Sequence, residues 1–125
     1  MRALADTSLF IGLEQARISS AVPDQLAVST VTIGELKLGV LAAGDAHTRA
    51  ERLRTLERAM SLDPLPVDDT VADAWAELRV ALRDAGKKLP ANDSWIAATS
   101  IAYELPIATQ DTDYEGVPGL SVLMT

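Results

Sequence analysis

The stretch Lys88–Tyr114, KLPANDSWIAATSIAYELPIATQDTDY, decides the fold. Asn92 or Asp93 starts a helix that carries Ile96, Ala97, Thr99, Ser100 and Ile101, and Ala97 and Ala98 are small enough to pack closely on a sheet. Leu105 to Thr109 then reads as a strand. It runs straight into Asp111 and Asp113, in a turn or short helix that ends at Tyr114. A helix, a strand and acids at the strand's carboxyl end make up the repeating unit of an α/β protein. What matters next is whether other strands send acids to the same edge.

Two upstream segments do. Ala3 to Ala5 reads as a first strand that ends at Asp6, followed by a helix with Leu9, Phe10 and Leu13 inward and Thr7 or Ser8 as its cap. Leu26 to Ser29 reads as a second strand. Thr30 to Ala43 follows as a helix with Val31, Leu36, Leu38 and Leu41 as its apolar residues, Glu35 in its first turns and Gly44 as its stop. Each acid also has an ordinary reading. Asp6 could be a polar turn residue and Asp93 a helix cap, and Thr32 with Glu35 fits a capping box, in which the glutamate reaches back to the helix start.

The middle of the chain is scaffold. Ala46 to Ser61 reads as a charged helix with Leu53, Leu56 and Met60 on its apolar side. Its Arg49, Arg52, Arg54 and Arg58 are mixed with Glu51 and Glu57, the pattern of a solvated face, and the single histidine, His47, sits there away from the acids. Leu62 to Val67, LDPLPV, fits a strand only at an edge. Asp68 and Asp69 start a helix whose Val71, Trp75, Leu78 and Leu82 form one apolar stripe. Its opposite side carries Arg79, Arg83 and Lys87, with Lys88 beside them, either as a solvated face or as a guide for phosphate toward Asp93. Gly119 to Leu123 is the last strand. Strands alternating with helices give a doubly wound α/β fold with a mainly parallel sheet.

Bulk properties agree with one domain spanning residues 1–125. Of the 125 residues 48% are hydrophobic and 23% charged, which suits a globular core. The absence of cysteine excludes disulfides and thiolate chemistry and fits a cytoplasmic location. No apolar run approaches the roughly 20 residues of a membrane span, and the start of the chain does not read as a secretory signal. The net charge of −7 argues against indiscriminate gripping of nucleic acid and for a basic partner.

In an open parallel sheet the working site lies beyond the carboxyl ends of the strands. Asp6, Glu35 and Asp111 follow strands, and Asp93 opens the helix that leads into one. Carboxylates without histidine or cysteine suit Mg²⁺, or Mn²⁺ in its place, better than zinc, and such a centre suits phosphoryl transfer. Asp6 and Asp93 are the main expected ligands. Glu35 and Asp111 complete the site, directly, through water or by positioning the attacking water. Asp113 is secondary, and the hydroxyls of Thr7 and Thr109 could hold carboxylate or phosphate.

The ordered set Leu4-Ala5-Asp6-Thr7-Ser8, Glu35, Asn92-Asp93 with Ile96-Ala97-Ala98-Thr99, and Ala108-Thr109-Gln110-Asp111-Thr112-Asp113-Tyr114 resembles a PIN domain. Within that superfamily it is most similar to the VapC toxins of toxin–antitoxin pairs, over essentially the whole chain. The resemblance implies a three-layer α/β/α sandwich and a Mg²⁺-dependent endoribonuclease acting on RNA. It also implies a homodimer, silenced by a cognate antitoxin whose basic C-terminal segment reaches the acids. Tyr114 stands where the family more often has phenylalanine. Two other readings stay open: a PIN-fold binding module without catalysis, and a receiver-type phosphoacceptor domain, which would need an acid pair after the first strand and a late lysine.

Overall fold

The computed structural model describes residues 1–18 and 21–125. Four short strands, β1 (Arg2–Ala5), β2 (Gln25–Ala27), β3 (Ile107–Thr109) and β4 (Val122–Met124), form one sheet in the order β2-β1-β3-β4. Every pairing is parallel: Leu4 stands opposite Ala27 on one side and Ile107 on the other, and Ala108 stands opposite Leu123. Strand order reverses between β1 and β3, so the crevice at their carboxyl ends is the switch point where such sheets place ligands.

The two-residue period of the strands assigns side chains to two faces. Leu4 and Ile107 join Val71, Leu78, Leu82, Ile96 and Ala97 in one core, under α4 (Asp69–Asp84) and α5 (Ala91–Ala102). Ala3, Ala5 and Ala108 point the other way. They join Leu9, Phe10, Leu36, Val40 and Leu56, under α1 (Thr7–Glu14), α2 (Thr30–Leu41) and α3 (Ala46–Met60). The result is the three-layer α/β/α sandwich. Burying each large aliphatic side chain of these cores contributes on the order of 1.5–3 kcal/mol, which outweighs the weak propensity of three- and four-residue strands.

Several elements depart from the sequence expectation. In α2 the inward residues are Thr32, Leu36 and Val40, at four-residue spacing, whereas Leu38 and Leu41 lie 66% and 68% exposed. That helix stops at Leu41 without using Gly44 as its cap. Leu53 and Met60 of α3 are likewise exposed, whereas Leu56 faces the core as expected, joined by Thr55 and Ala59. Trp75 is only partly buried and stacks flat on Trp95, with ring centroids 4.3 Å apart. The last strand starts three residues later than its apolar run suggests, because Gly119 takes a left-handed turn with φ +76°. Leu65, between the two prolines of LDPLPV, makes a single parallel bridge to Ser29, the edge role its prolines allow. No helix among the described residues is long and apolar enough to cross a membrane.

Candidate active site

Asp6 leaves β1 at the switch point and caps α1, a task expected of Thr7 or Ser8. Its Oδ2 accepts from Ser8 N (3.3 Å), Ser8 Oγ (2.8 Å) and Thr109 Oγ1 (3.0 Å), and its Oδ1 accepts from the Tyr114 hydroxyl (2.9 Å). With 3% of its surface exposed, Asp6 is a buried carboxylate whose charge is met by four neutral donors. The same hydroxyls extend the network. Ser8 Oγ accepts from Gln110 N (2.9 Å), Thr109 Oγ1 accepts from Asp111 N (2.9 Å), and Asp111 Oδ1 accepts from Asp113 N (2.8 Å). The β3 exit is thereby tied to the β1 exit.

Glu35 is not half of a capping box. Ser29 caps α2, its Oγ accepting from Val31 N at 3.0 Å, which places Thr32 inside the helix. The hydroxyl of Thr7 donates to Glu35 Oε1 (2.6 Å) and touches that of Thr32 (3.1 Å), while the Asn92 amide donates to Oε2. Glu35 therefore bridges α1 to the start of α5. Nor is Asp93 a cap: α5 begins at Ala91 with Pro90 before it, and no side chain caps it. Asp93 sits in the first turn with its carboxylate free to face the other acids.

Carboxylate oxygens of Asp93, Asp111 and Asp113 all lie within 4.8 Å of one another. Asp113, expected to be secondary, belongs to this cluster, and Asp6 and Glu35 stand around it. Their proximity registers in Asp93, whose carboxyl is pushed up to about 6, first by burial and then by the charge of Asp6, with Asp111 and Glu35 adding to the push. A hydrogen bond from Tyr114 pulls the other way. The Tyr114 hydroxyl itself is held far above its usual range by burial and by the flanking Asp6 and Asp93, so it is a permanent neutral donor. Among the described residues, none of the clustered acids pairs with a cationic side chain. His47 pairs with Glu51 on the exposed face of α3 instead.

This donor set fits a hard divalent cation. All its ligand atoms are oxygens at mutual distances one ion can span, and their repulsion is what a cation would relieve. Sequence reasoning missed Ser8, Asn92 and the function of the Tyr114 hydroxyl. Ser8 and Asn92 adjoin expected residues, and Tyr114 is marked only by an oxygen that phenylalanine lacks.

The chain matches the PIN domain family over residues 3–120. It is 48% identical over 127 residues to Ribonuclease VapC4 of Mycobacterium tuberculosis, covering 98% of this chain and 95% of that protein. It is 44% identical to Ribonuclease VapC5 of the same organism, covering 91% of this chain and 86% of the relative. A solved structure of VapBC-5 from Mycobacterium tuberculosis, a member of the VapBC family of toxin–antitoxin systems, superposes with a TM-score of 0.85 at 37% identity, covering 99% and 98% of the two chains. FitAcB from Neisseria gonorrhoeae superposes with a TM-score of 0.78 at 28% identity, covering 98% and 96%.

Proposed function

The chain belongs to the PIN-domain family, beside its VapC ribonucleases, and on that premise we propose that it is a Mg²⁺-dependent endoribonuclease, the toxin of a toxin–antitoxin pair. The observation that carries this reading is the meeting of Asp93, Asp111 and Asp113 within 4.8 Å at the switch point, flanked by Asp6 and Glu35. Asp93, Asp111 and Asp113 would hold the cation, with Asp6 as a fourth acid acting directly or through water. When bound, such an ion polarises a phosphate oxygen and makes water a stronger nucleophile near neutral pH.

The chain's own groups supply the rest. Glu35, fixed by Thr7 and Asn92, is placed to orient the attacking water and receive its proton. Tyr114 donates to Asp6 Oδ1 and lies against Asp93, so its hydroxyl positions both carboxylates. Thr109 and Ser8 hold the Asp6 carboxylate in one rotamer. Mn²⁺ fits the same oxygens as Mg²⁺.

As a partner we propose an antitoxin whose basic C-terminal segment enters the acidic site and takes the place of the cation. The toxin itself acts as a homodimer of single-domain chains in the cytoplasm. The deciding experiment incubates the purified protein with structured RNAs, with and without Mg²⁺, and maps new ends. Cutting should vanish in EDTA, return with Mg²⁺ or Mn²⁺, and be absent in Asp93→Asn. Undiminished cleavage in EDTA overturns the metal mechanism. For the partner, neutralising all basic residues of the inhibitor without loss of inhibition overturns the proposed mode of silencing.

A further inference from the structure

Positive charge collects at the carboxyl end of α4. Arg79, Arg83, Lys87 and Lys88 line one cleft of about 340 Å³, with Leu82 and Leu89 as its floor, in a chain whose net charge is −7. Gly86 builds it. With φ +65° it ends α4 in a left-handed turn, and the Gly86 and Lys87 amides bond back to Arg83 O and Leu82 O.

An ordinary solvated helix face does not explain the cleft. On α3 the arginines alternate with Glu51 and Glu57, and Arg52 and Arg49 spend their guanidinium groups on Gly39 O and Ala43 O. On α4 Arg79 and Arg83 are four apart with no acid three or four residues from either, a spacing at which like charges destabilise a helix. The macrodipole favours Arg83 in the last turn but does not reach Arg79. Among the described residues Arg83 pairs only with its neighbour Asp84, at the surface. A polyanion would relieve the repulsion.

The cleft is also tied to the acid centre. Arg79 lies over the Trp75 ring, 6.0 Å from its centroid; Trp75 stacks on Trp95, and its Nε1 donates to Ser94 Oγ at 3.0 Å. Ser94 directly follows Asp93 in the chain. From Lys88 to Asp93 is five residues, at most about 17 Å even if fully extended, and Leu89 between them is buried. Building on the ribonuclease reading, we propose that the cleft formed by Arg79, Arg83, Lys87 and Lys88 binds backbone phosphates of the RNA a few nucleotides from the scissile bond. Its cations track the strand without reading its bases, and the acids cut where that track delivers it.

The test measures binding of a labelled single-stranded RNA to the full chain in EDTA, where no cutting is expected, over a salt series. For wild type, log K should fall with log salt. The triple variant Arg79→Ala/Lys87→Ala/Lys88→Ala should bind more weakly and lower that slope by about 2, at about 0.7 per phosphate contact. Arg54→Glu on α3 should leave both unchanged. In Mg²⁺ the triple variant should raise KM with little change in kcat. An unchanged slope and KM overturn the proposal, as does preferential capture of polyglutamate over RNA by the same residues. If wild type binds RNA through the cleft yet never cuts it, the cleft stands and the nuclease reading falls.

Discussion

Asp6 and Asp93 carry the same side chain and share one tyrosine hydroxyl, yet the fold treats them in opposite ways. Asp6 is buried, with an edge left toward the cluster, and four donors from Ser8, Thr109 and Tyr114 hold it. Asp93 is partly open, caps nothing, and faces Asp111 and Asp113 across a gap where negative charge repels negative charge. One acid holds the site together by being fully hydrogen-bonded; the others are left short of positive partners. The contrast teaches that an acidic cluster contains parts with separable costs, and stability measurements can tell them apart.

The largest expected difference is between Asp6→Ala and Asp93→Ala, compared by urea unfolding in EDTA. Removing Asp6 strands buried donors, each costing about 1–3 kcal/mol, so a total loss of about 3 kcal/mol or more is expected. Removing Asp93 relieves repulsion and should cost nothing or stabilise slightly. Equal losses would abolish the distinction. Next in size is the response to Mg²⁺. Wild type should gain about 2.7 kcal/mol when the ion stands at 100 times its Kd, and Asp93→Asn should lose most of that gain, as melting curves at constant ionic strength would show. Equal shifts in the two proteins would remove Asp93 from the ligand set.

Tyr114→Phe sharpens the comparison because it touches both acids. Loss of its hydrogen bonds should cost about 1–2 kcal/mol. It should also push the Asp93 carboxyl above about 6, since the tyrosine's bond is what restrains it. NMR titration of the Asp93 carboxyl in EDTA should show that rise; a titration that stays in place would mean the hydroxyl serves packing alone. The smallest effect is on the pH dependence of stability without metal. Asp93 titrates at about 6 in the fold, above its ordinary 3.8, so the folded chain binds more protons than the unfolded chain between those values. Its contribution is therefore fully present below 3.8 and is lost as pH rises through 6, and stability in EDTA should fall across that window. Subtracting the Asp93→Asn curve isolates the term, and a difference curve that is flat or rises with pH contradicts it.

The sheet and the acids at its carboxyl edge were legible because apolar runs ending in Asp6 and in Asp111 report strand and exit together. The division of labour among the acids was not. Nothing local distinguishes an aspartate that accepts four bonds from one that accepts few, because Asp6 meets Thr109 and Tyr114 only across the folded sheet. Capping was ambiguous for a related reason. Thr32 with Glu35 matches a capping pattern, but Ser29 three residues earlier captures the helix start and frees Glu35 for Thr7 and Asn92. Leu38 and Leu41 show that apolar identity alone does not report burial, since the helix period turns both to the outside.

The hydrogen bonds that fix Asp6 reach partners 103 and 108 residues further along the chain. Contacts of such long sequence separation form late, since a large loop must close before they stabilise anything. During synthesis the first acid emerges long before the hydroxyls that will hold it, and a chain stopped short of Thr109 has neither its β3 strand nor Asp111, Asp113 and Tyr114. Such a chain cannot assemble the carboxylate centre. The site is therefore a late product of folding: the first acid waits without its donors until the segment that ends at Tyr114 docks against β1.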